Sequence, residues 1–362
     1  MRPLDRIARR LGVRSTLFFS AIVFSTSVSC APSKPAAPPT KVATVSPPLF
    51  QSSPLESVAK RGLSWFVSFR PKTLFSTPNF SARFARVVHD EEFAAYASNH
   101  ANIDLRALEH LVIANYSTST LAITTGVNAP GTFDAFSKRV SHLEHVAVGP
   151  YLYDQGRGTT HLERIGKFGS ALYYEWGRAP HALLDAIHLA EARAKAPAQE
   201  QVSLPAAKAL VPIRDEIPPA LLAVLERSPA CLYLRGPFDQ AWASSLKGLL
   251  RAATGMALCA TSENDALEVE LFVVGDYSRD LPGATGLLRE SLLSLREAGW
   301  MSRMFVLRGE PRPAPVDGGL AMRVTLDQQG FFETLAELTR DEVRDFAAPA
   351  GPATPRVQPA QR

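Results

Sequence analysis

The spacing of apolar and polar residues predicts a mixture of strands and helices along the middle of the chain. β-rich runs at 111–116 and 120–125 flank a short polar stretch and predict a hairpin. Apolar residues in 219–227 and 331–343 recur at helical spacing, whereas 267–271 alternates apolar and acidic residues, as a strand with one solvated face does. The pattern is typical of an α+β protein.

These elements fall into two groups on either side of a polar, alanine-rich segment, 195–205. In the first group we expect, after the hairpin, a helix near Phe136, strands at 146–153 and 171–176, and a helix at 182–194. The second contains helices at 219–227, from Asp239, at 287–298 and at 331–343, with strands at 231–234, 256–260, 267–271 and 320–326. We therefore predict two α/β-sandwich units with mainly antiparallel sheets, the second ferredoxin-like.

Proline-rich stretches at both ends set the outer boundaries of these units. Prolines are dense after residue 30 and again near the C-terminus, and such sequence buries too little apolar surface to offset the entropy of ordering it. We predict a leader at 1–29, a disordered tether at 30–58, domains at 59–198 and 199–346, and a disordered tail at 347–362.

The N-terminus has the order of a secretory signal: five arginines within 1–14, an apolar run at 17–24, and small residues up to Cys30. With a cysteine at the cleavage point, the first thirty residues resemble a bacterial lipoprotein signal, although Ser27 stands where that family usually has an aliphatic residue. The resemblance implies lipid attachment at Cys30 and a membrane anchor. Ala31, rather than Asp, implies the outer rather than the inner membrane; ordinary cleavage, giving a secreted or periplasmic protein, is the alternative.

The positive net charge of the chain comes from its leader. The chain carries +4 at pH 7, but the leader holds five of its 39 basic residues and one of its 35 acidic ones, which leaves 34 of each. A neutral mature chain without a basic cluster does not predict a nucleic-acid partner.

All eight histidines lie between His89 and His188, which raises the question of a metal site. His142 and His145 flank Glu144 near a predicted helix end, and His181 and His188 are two helical turns apart. Zinc needs three or four converging ligands, and neither pair has an evident third. We therefore expect scattered histidines and predict no metal, cofactor or catalytic residue.

Cys231 and Cys259 remain once Cys30 is assigned to the leader. Export to an oxidising compartment permits a disulfide. In a ferredoxin-like order their two strands would not be neighbours, so two buried free thiols are expected and a bridge is the alternative.

Two strands rich in aromatic residues predict either core or an exposed binding face; the residues are Tyr151, Tyr153, Tyr173, Tyr174 and Trp176. No nucleophile elbow, phosphate loop or dinucleotide fingerprint is present. The resulting hypothesis is a non-enzymatic, membrane-tethered envelope protein that binds a protein or cell-wall partner. The alternatives are an envelope hydrolase, with or without metal assistance, and a small-ligand carrier between the two units.

Overall fold

The computed structural model describes residues 46–99, 103–127, 131–195, 210–238, 243–296 and 306–347. Cys30, the leader and the C-terminal tail lie outside the described residues. The strands are β1 Leu63–Phe69, β2 His110–Tyr116, β3 Ser119–Thr125, β4 Ser141–Val148, β5 Tyr151–Arg157, β6 Leu162–Phe168, β7 Ala171–Gly177, β8 Ala230–Arg235, β9 Ala253–Glu263, β10 Ala266–Gly275, β11 Arg312–Val316 and β12 Gly319–Asp327.

Helices connect and cover these strands. The α-helices are α1 Pro71–Phe75, α2 Pro78–Phe84, α3 Asp90–Asn99, α4 Thr132–Arg139, α5 Ala182–Lys195, α6 Pro219–Arg227, α7 Leu281–Arg296 and α8 Gln328–Ala347. Short 3-10 turns occur at Pro54–Ser57, Leu105–Ala107, Ile213–Asp215, Leu246–Arg251 and Ser278–Asp280. Within the described ranges, no helix combines the length and apolar character needed to cross a membrane.

All twelve strands belong to one sheet, in the order β11-β12-β10-β9-β8-β1-β2-β3-β7-β6-β5-β4. Every strand pair in it is antiparallel. The α+β class and the antiparallel sheet are thus as predicted. The ferredoxin-like arrangement of the second unit is not confirmed, because its strands follow one another as β8-β9-β10 and then β12-β11.

The helix α5 shows how the sequence pattern builds the core. Leu183, Ala186, Ile187 and Ala190 follow helical spacing and are at most 6 % exposed. They belong to a core cluster that also contains Phe66 of β1 and residues from β2 to β9. A second core cluster lies between β9, β10, β12 and α7.

Two strand boundaries differ from the sequence prediction. The segment 146–153 is not one strand: β4 and β5 form a hairpin that turns at Gly149 and Pro150, where Gly149 has a φ of +55°. Glycine adopts this left-handed conformation without the penalty that a side chain adds. The strand β6, between the predicted strands, did not emerge from the pattern.

The predicted tether of 30–58 is wrong from residue 46 onward. Leu49, Leu55 and Val58 are at most 1 % exposed and pack in the main core cluster. Ser53 and Glu56 form a capping box around the 3-10 turn at Pro54–Ser57. Three apolar side chains and a capped turn order this segment despite its prolines.

Candidate functional site: the β4 edge of the sheet

An open sheet has two edge strands, and here these edges differ in sequence. At one end, β11 contains Pro313 and Pro315 and directly follows Pro311. Proline has no N–H, so it protects an edge strand from pairing with another chain. At the other end, β4 reads SHLEHVAV and contains no proline.

The β4 edge is regular over only part of its length. The register between β4 and β5 shifts between Ser141 and Glu144, which marks a bulge, and His142 there has a φ of +53°. From Glu144 to Val148 each residue has a single partner on β5. Because a bulge disrupts pairing locally, the stretch 144–148 is the part of β4 suited to accept another strand.

The two faces of this stretch are chemically different. Val146 and Val148 lie opposite Tyr153 and Tyr151 and pack against the main core cluster. The other face shows His145 opposite Asp154 and Ala147 opposite Leu152. Leu152 is 47 % exposed there, more than Leu143, Leu258 or Leu287, the other exposed leucines of the described ranges.

His145 and Asp154 form a defined pair at the surface. His145 Nδ1 lies 2.6 Å from Asp154 Oδ1, and the histidine side chain is 79 % exposed. Beside them, Gln155 Nε2 donates to Glu144 Oε2 at 2.7 Å. These contacts orient polar side chains along the edge. His142 and His145 both belong to β4, which begins two residues after the end of α4.

The second histidine pair does not share a helix face. His181 lies one residue before α5, with its Nε2 atom 3.8 Å from Asp185 Oδ2, whereas His188 is exposed within α5. Across the described ranges, no three His, Cys, Asp or Glu side chains are grouped so that they could hold a metal ion.

The cysteines come together in a way the sequence did not predict. Their strands β8 and β9 are neighbours, and Cys231 lies directly opposite Cys259. The two sulfurs form a disulfide with a Sγ–Sγ distance of 2.14 Å. The prediction of non-adjacent strands is therefore wrong, and free thiols are not the state in this structure. The cysteines meet because β8 and β9 are neighbours in the sheet, whereas the expected ferredoxin-like order would have separated them.

The aromatic strands supply core rather than an exposed binding face. Tyr151, Tyr153, Tyr173 and Tyr174 are at most 5 % exposed. Their strands β5 and β7 do not pair, because β6 lies between them.

Two signals for the β4 edge were present in the sequence. Gly149 and Pro150 indicate a turn after β4, and the prolines of β11 mark the opposite edge as the protected one.

Comparison with known proteins identifies no family. No family model and no curated protein matches the chain. Among solved structures, it is similar to TP0453 in crystal forms I, III and IV, with TM-scores of 0.40, 0.44 and 0.41 and 12 %, 11 % and 12 % sequence identity. These matches cover 80 %, 79 % and 79 % of this chain and 98 %, 99 % and 97 % of the TP0453 chain. A likeness at this level carries no functional argument.

Proposed function

We propose that this protein is an envelope lipoprotein, anchored through lipid on Cys30, whose β4 edge binds an extended segment of a protein partner. One observation carries the binding half of the proposal: β11 bears prolines at its edge, whereas 144–148 of β4 offers a regular edge without proline. The anchoring half rests on the resemblance of the leader to lipoprotein signals, and Ala31 favours the outer membrane.

The physical basis is strand addition. An edge strand has a row of outward N–H and C=O groups that an incoming strand can satisfy, and these main-chain hydrogen bonds provide affinity. Side chains that alternate between the two faces provide specificity. A partner strand beside 144–148 would bring apolar residues next to Val146 and Val148 on one face, and next to Ala147 on the other.

The first described residue, Ser46, is hydrogen-bonded to the strand beside this edge. Ser46 bridges to Phe168 at the end of β6, and its Oγ accepts a hydrogen bond from Leu152 N at 3.0 Å. Leu152 belongs to β5, the strand that pairs with β4. Fifteen residues separate Cys30 from Ser46, a segment that spans at most about 50 Å. A lipid on Cys30 would hold Ser46, and with it the end of the sheet that contains β5 and β6, within about that distance of the membrane surface.

The division into domains at 59–198 and 199–346 also stands as a proposal. It is supported by a single strand junction between the two parts within the sheet, β1 with β8, and by the core cluster of β9, β10, β12 and α7, which lies within the second part. Hydrogen exchange of the whole protein tests it: two sets of amides should open with different free energies. One common free energy would argue for a single cooperative unit.

The binding proposal is tested by photocrosslinking in cells. A photoreactive p-benzoylphenylalanine replaces His145 on β4, and a matched control variant carries it at Ala314 on β11. We expect a stoichiometric crosslinked product of defined mass from position 145 and none from 314. The same product from both positions, or from neither, would contradict the proposal, and a product with the mass of two copies would replace the partner by self-association.

Two neighbouring proline variants show whether the contact is a strand pairing. In an antiparallel edge strand, successive N–H groups point alternately to the neighbouring strand and to the open edge. Of Val146→Pro and Ala147→Pro, one should therefore keep its melting temperature and lose the crosslink, while the other is destabilised through its lost bond to β5. If both proline variants fold stably and both still give the crosslink, strand addition is excluded.

Cys30→Ala tests the anchor, since it should move the protein from the membrane to the soluble fraction.

A further inference from the structure

A polar pocket of about 270 Å³ lies far from the β4 edge in sequence and in the sheet. It is formed where the end of β1, the start of β2, the 3-10 turn at Ile213–Asp215 and the end of α6 come together with the segment at 52–54. The lining residues that matter here are Ser52, Ser53, Arg70, His110, Arg214 and Glu226. The pocket thus draws on both predicted domains.

Arg70 is the group in this pocket that requires explanation. It is half-buried, and burial lowers the pKa of its guanidinium, an effect that the charge of Glu226 opposes. Yet within the described part of the chain no carboxylate lies within 4.0 Å of it. A half-buried cation without a close counter-ion is costly unless something else neutralises it.

Backbone contacts hold Arg70 in place. Its Nη1 donates to the carbonyl oxygen of Ser228 at 2.8 Å, and its backbone N–H donates to the carbonyl oxygen of Pro229 at 2.7 Å. Both acceptors belong to the connection between α6 and β8. One side of the planar guanidinium is therefore fixed, and its other donors remain for a ligand. A fixed guanidinium fork matches the two oxygens of a carboxylate.

The other charged groups of the pocket are already engaged. Arg214 Nη1 lies 3.2 Å from Glu56 Oε1, and its Nη2 lies 3.2 Å from Glu226 Oε1. The His110 imidazole is hydrogen-bonded to Ser68 Oγ at 2.8 Å. Burial and, secondarily, the charge of Arg70 lower the pKa of His110 to about 4, so the ring is neutral near pH 7. Arg214 is thus paired with two carboxylates, whereas Arg70 is the cation of the lining that has no carboxylate within 4.0 Å among the described residues.

We propose that this pocket binds a small monocarboxylate, with Arg70 as its main binding group. A single negative charge matches the charge of Arg70, whereas the nearby Glu226 carboxylate disfavours a dianion such as phosphate. The volume is that of about nine water molecules, which limits the ligand to a small molecule. Ser52 and Ser53 also line the pocket and add to its polar character. This site shares no residue with the β4 edge, so it stands independently of the function proposed above.

The test compares lactate with its neutral analogue lactamide and with inorganic phosphate, at constant ionic strength, on the whole soluble protein beginning after Cys30. Binding is followed by the NMR signals of the Arg70 guanidinium and the His110 ring. We expect saturable shifts with lactate, at least tenfold weaker binding of lactamide, and weaker binding of phosphate than of lactate. Equal shifts with lactate and lactamide, or tighter binding of phosphate, would overturn the proposal.

Variants assign the binding to Arg70. Arg70→Gln should weaken lactate binding at least tenfold, and Arg70→Lys, which keeps the charge but loses the planar fork, should lie between Gln and the native protein. Arg235→Gln serves as the matched control, because Arg235 pairs with Glu216 and does not line the pocket. If Arg70→Gln does not fold, the lysine variant and the lactamide comparison still decide. Unchanged lactate affinity in either Arg70 variant, or an equal loss in Arg235→Gln, would refute the assignment.

Discussion

The two halves of the sheet are stabilised by different chemistry. Between β2 and α5, the buried side chains include carboxylates and a guanidinium: Glu163, Arg164, Glu175 and Asp185. Among the described residues from α6 to α8, the buried polar side chains are uncharged: Ser228, Ser291, Gln328 and Thr334. That half has instead a disulfide between neighbouring strands.

Glu175 shows what the buried charges do. It is 0 % exposed, and its carboxylate accepts hydrogen bonds from Ser119 Oγ at 2.8 Å and from the N–H groups of Ala182 and Leu183 at 2.7 and 3.2 Å. It thereby satisfies the first amides of α5 and places a negative charge at the positive end of that helix. Arg164 Nη1 lies 3.5 Å from the Oε2 atom of Glu175. The buried carboxylate therefore fixes the N-terminus of α5 to β7. Apolar packing alone would not determine which end of the helix lies there.

Removal of the Glu175 carboxylate should have the largest effect of the three changes considered. Glu175→Ala leaves Arg164 buried without its counter-ion and the first amides of α5 unsatisfied, and should lower the free energy of unfolding by about 4 kcal/mol. Urea unfolding measures this loss. Glu175→Gln, which keeps hydrogen-bonding capacity, should lose less, and the exposed Glu144→Ala should change little. A loss below about 1 kcal/mol in Glu175→Ala would mean that the buried charges are not what stabilises this half.

Removal of the disulfide tests the other half. The bond closes a loop of 28 residues, and in the chain-entropy model a loop of that length stabilises the fold by about 3.6 kcal/mol. The double variant Cys231→Ala and Cys259→Ala should lose about that amount, with α5 and the first-half strands still protected from hydrogen exchange at low denaturant. The native protein under reducing conditions is the control and should behave like the variant. Equal free energies of unfolding with and without the bond would show that the disulfide does not stabilise the second half of the sheet.

His110 should give the smallest effect, and one that depends on pH. Its pKa is about 4 in the folded protein and 6.5 as the ordinary value, because burial and Arg70 disfavour the protonated ring. Between these values the unfolded chain binds more protons than the folded one, so stability falls as the pH drops from about 6.5 to about 4. At pH 5 the loss attributable to His110 is about 2 kcal/mol.

The measurement is the difference in unfolding free energy between pH 7 and pH 5, for the native protein and for His110→Gln. The glutamine variant should lose about 2 kcal/mol less over this interval. Identical pH dependence of the two proteins would show that His110 does not titrate as its buried position requires.

The sequence alone established much of the local structure because local structure depends on near neighbours. The helix at 219–227 begins and ends where its apolar spacing predicted, and the hairpin of β2 and β3 forms around the predicted polar turn. The cluster of Asp90, Glu91 and Glu92 marks the start of α3, as expected for acids at a helix N-terminus.

The tertiary structure decided which distant segments meet. Periodicity indicates that 231–234 and 256–260 are strands, but the order of strands decides whether Cys231 faces Cys259. The same holds for β1, which joins the halves by pairing with both β2 and β8, and for Leu49 and Leu55, whose burial depends on α5 and the sheet. Arg70, His110 and Arg214 form a pocket only because β1, β2 and the turn before α6 converge. Spacing along the chain encodes periodicity, whereas burial and charge pairing depend on long-range contacts that spacing does not contain.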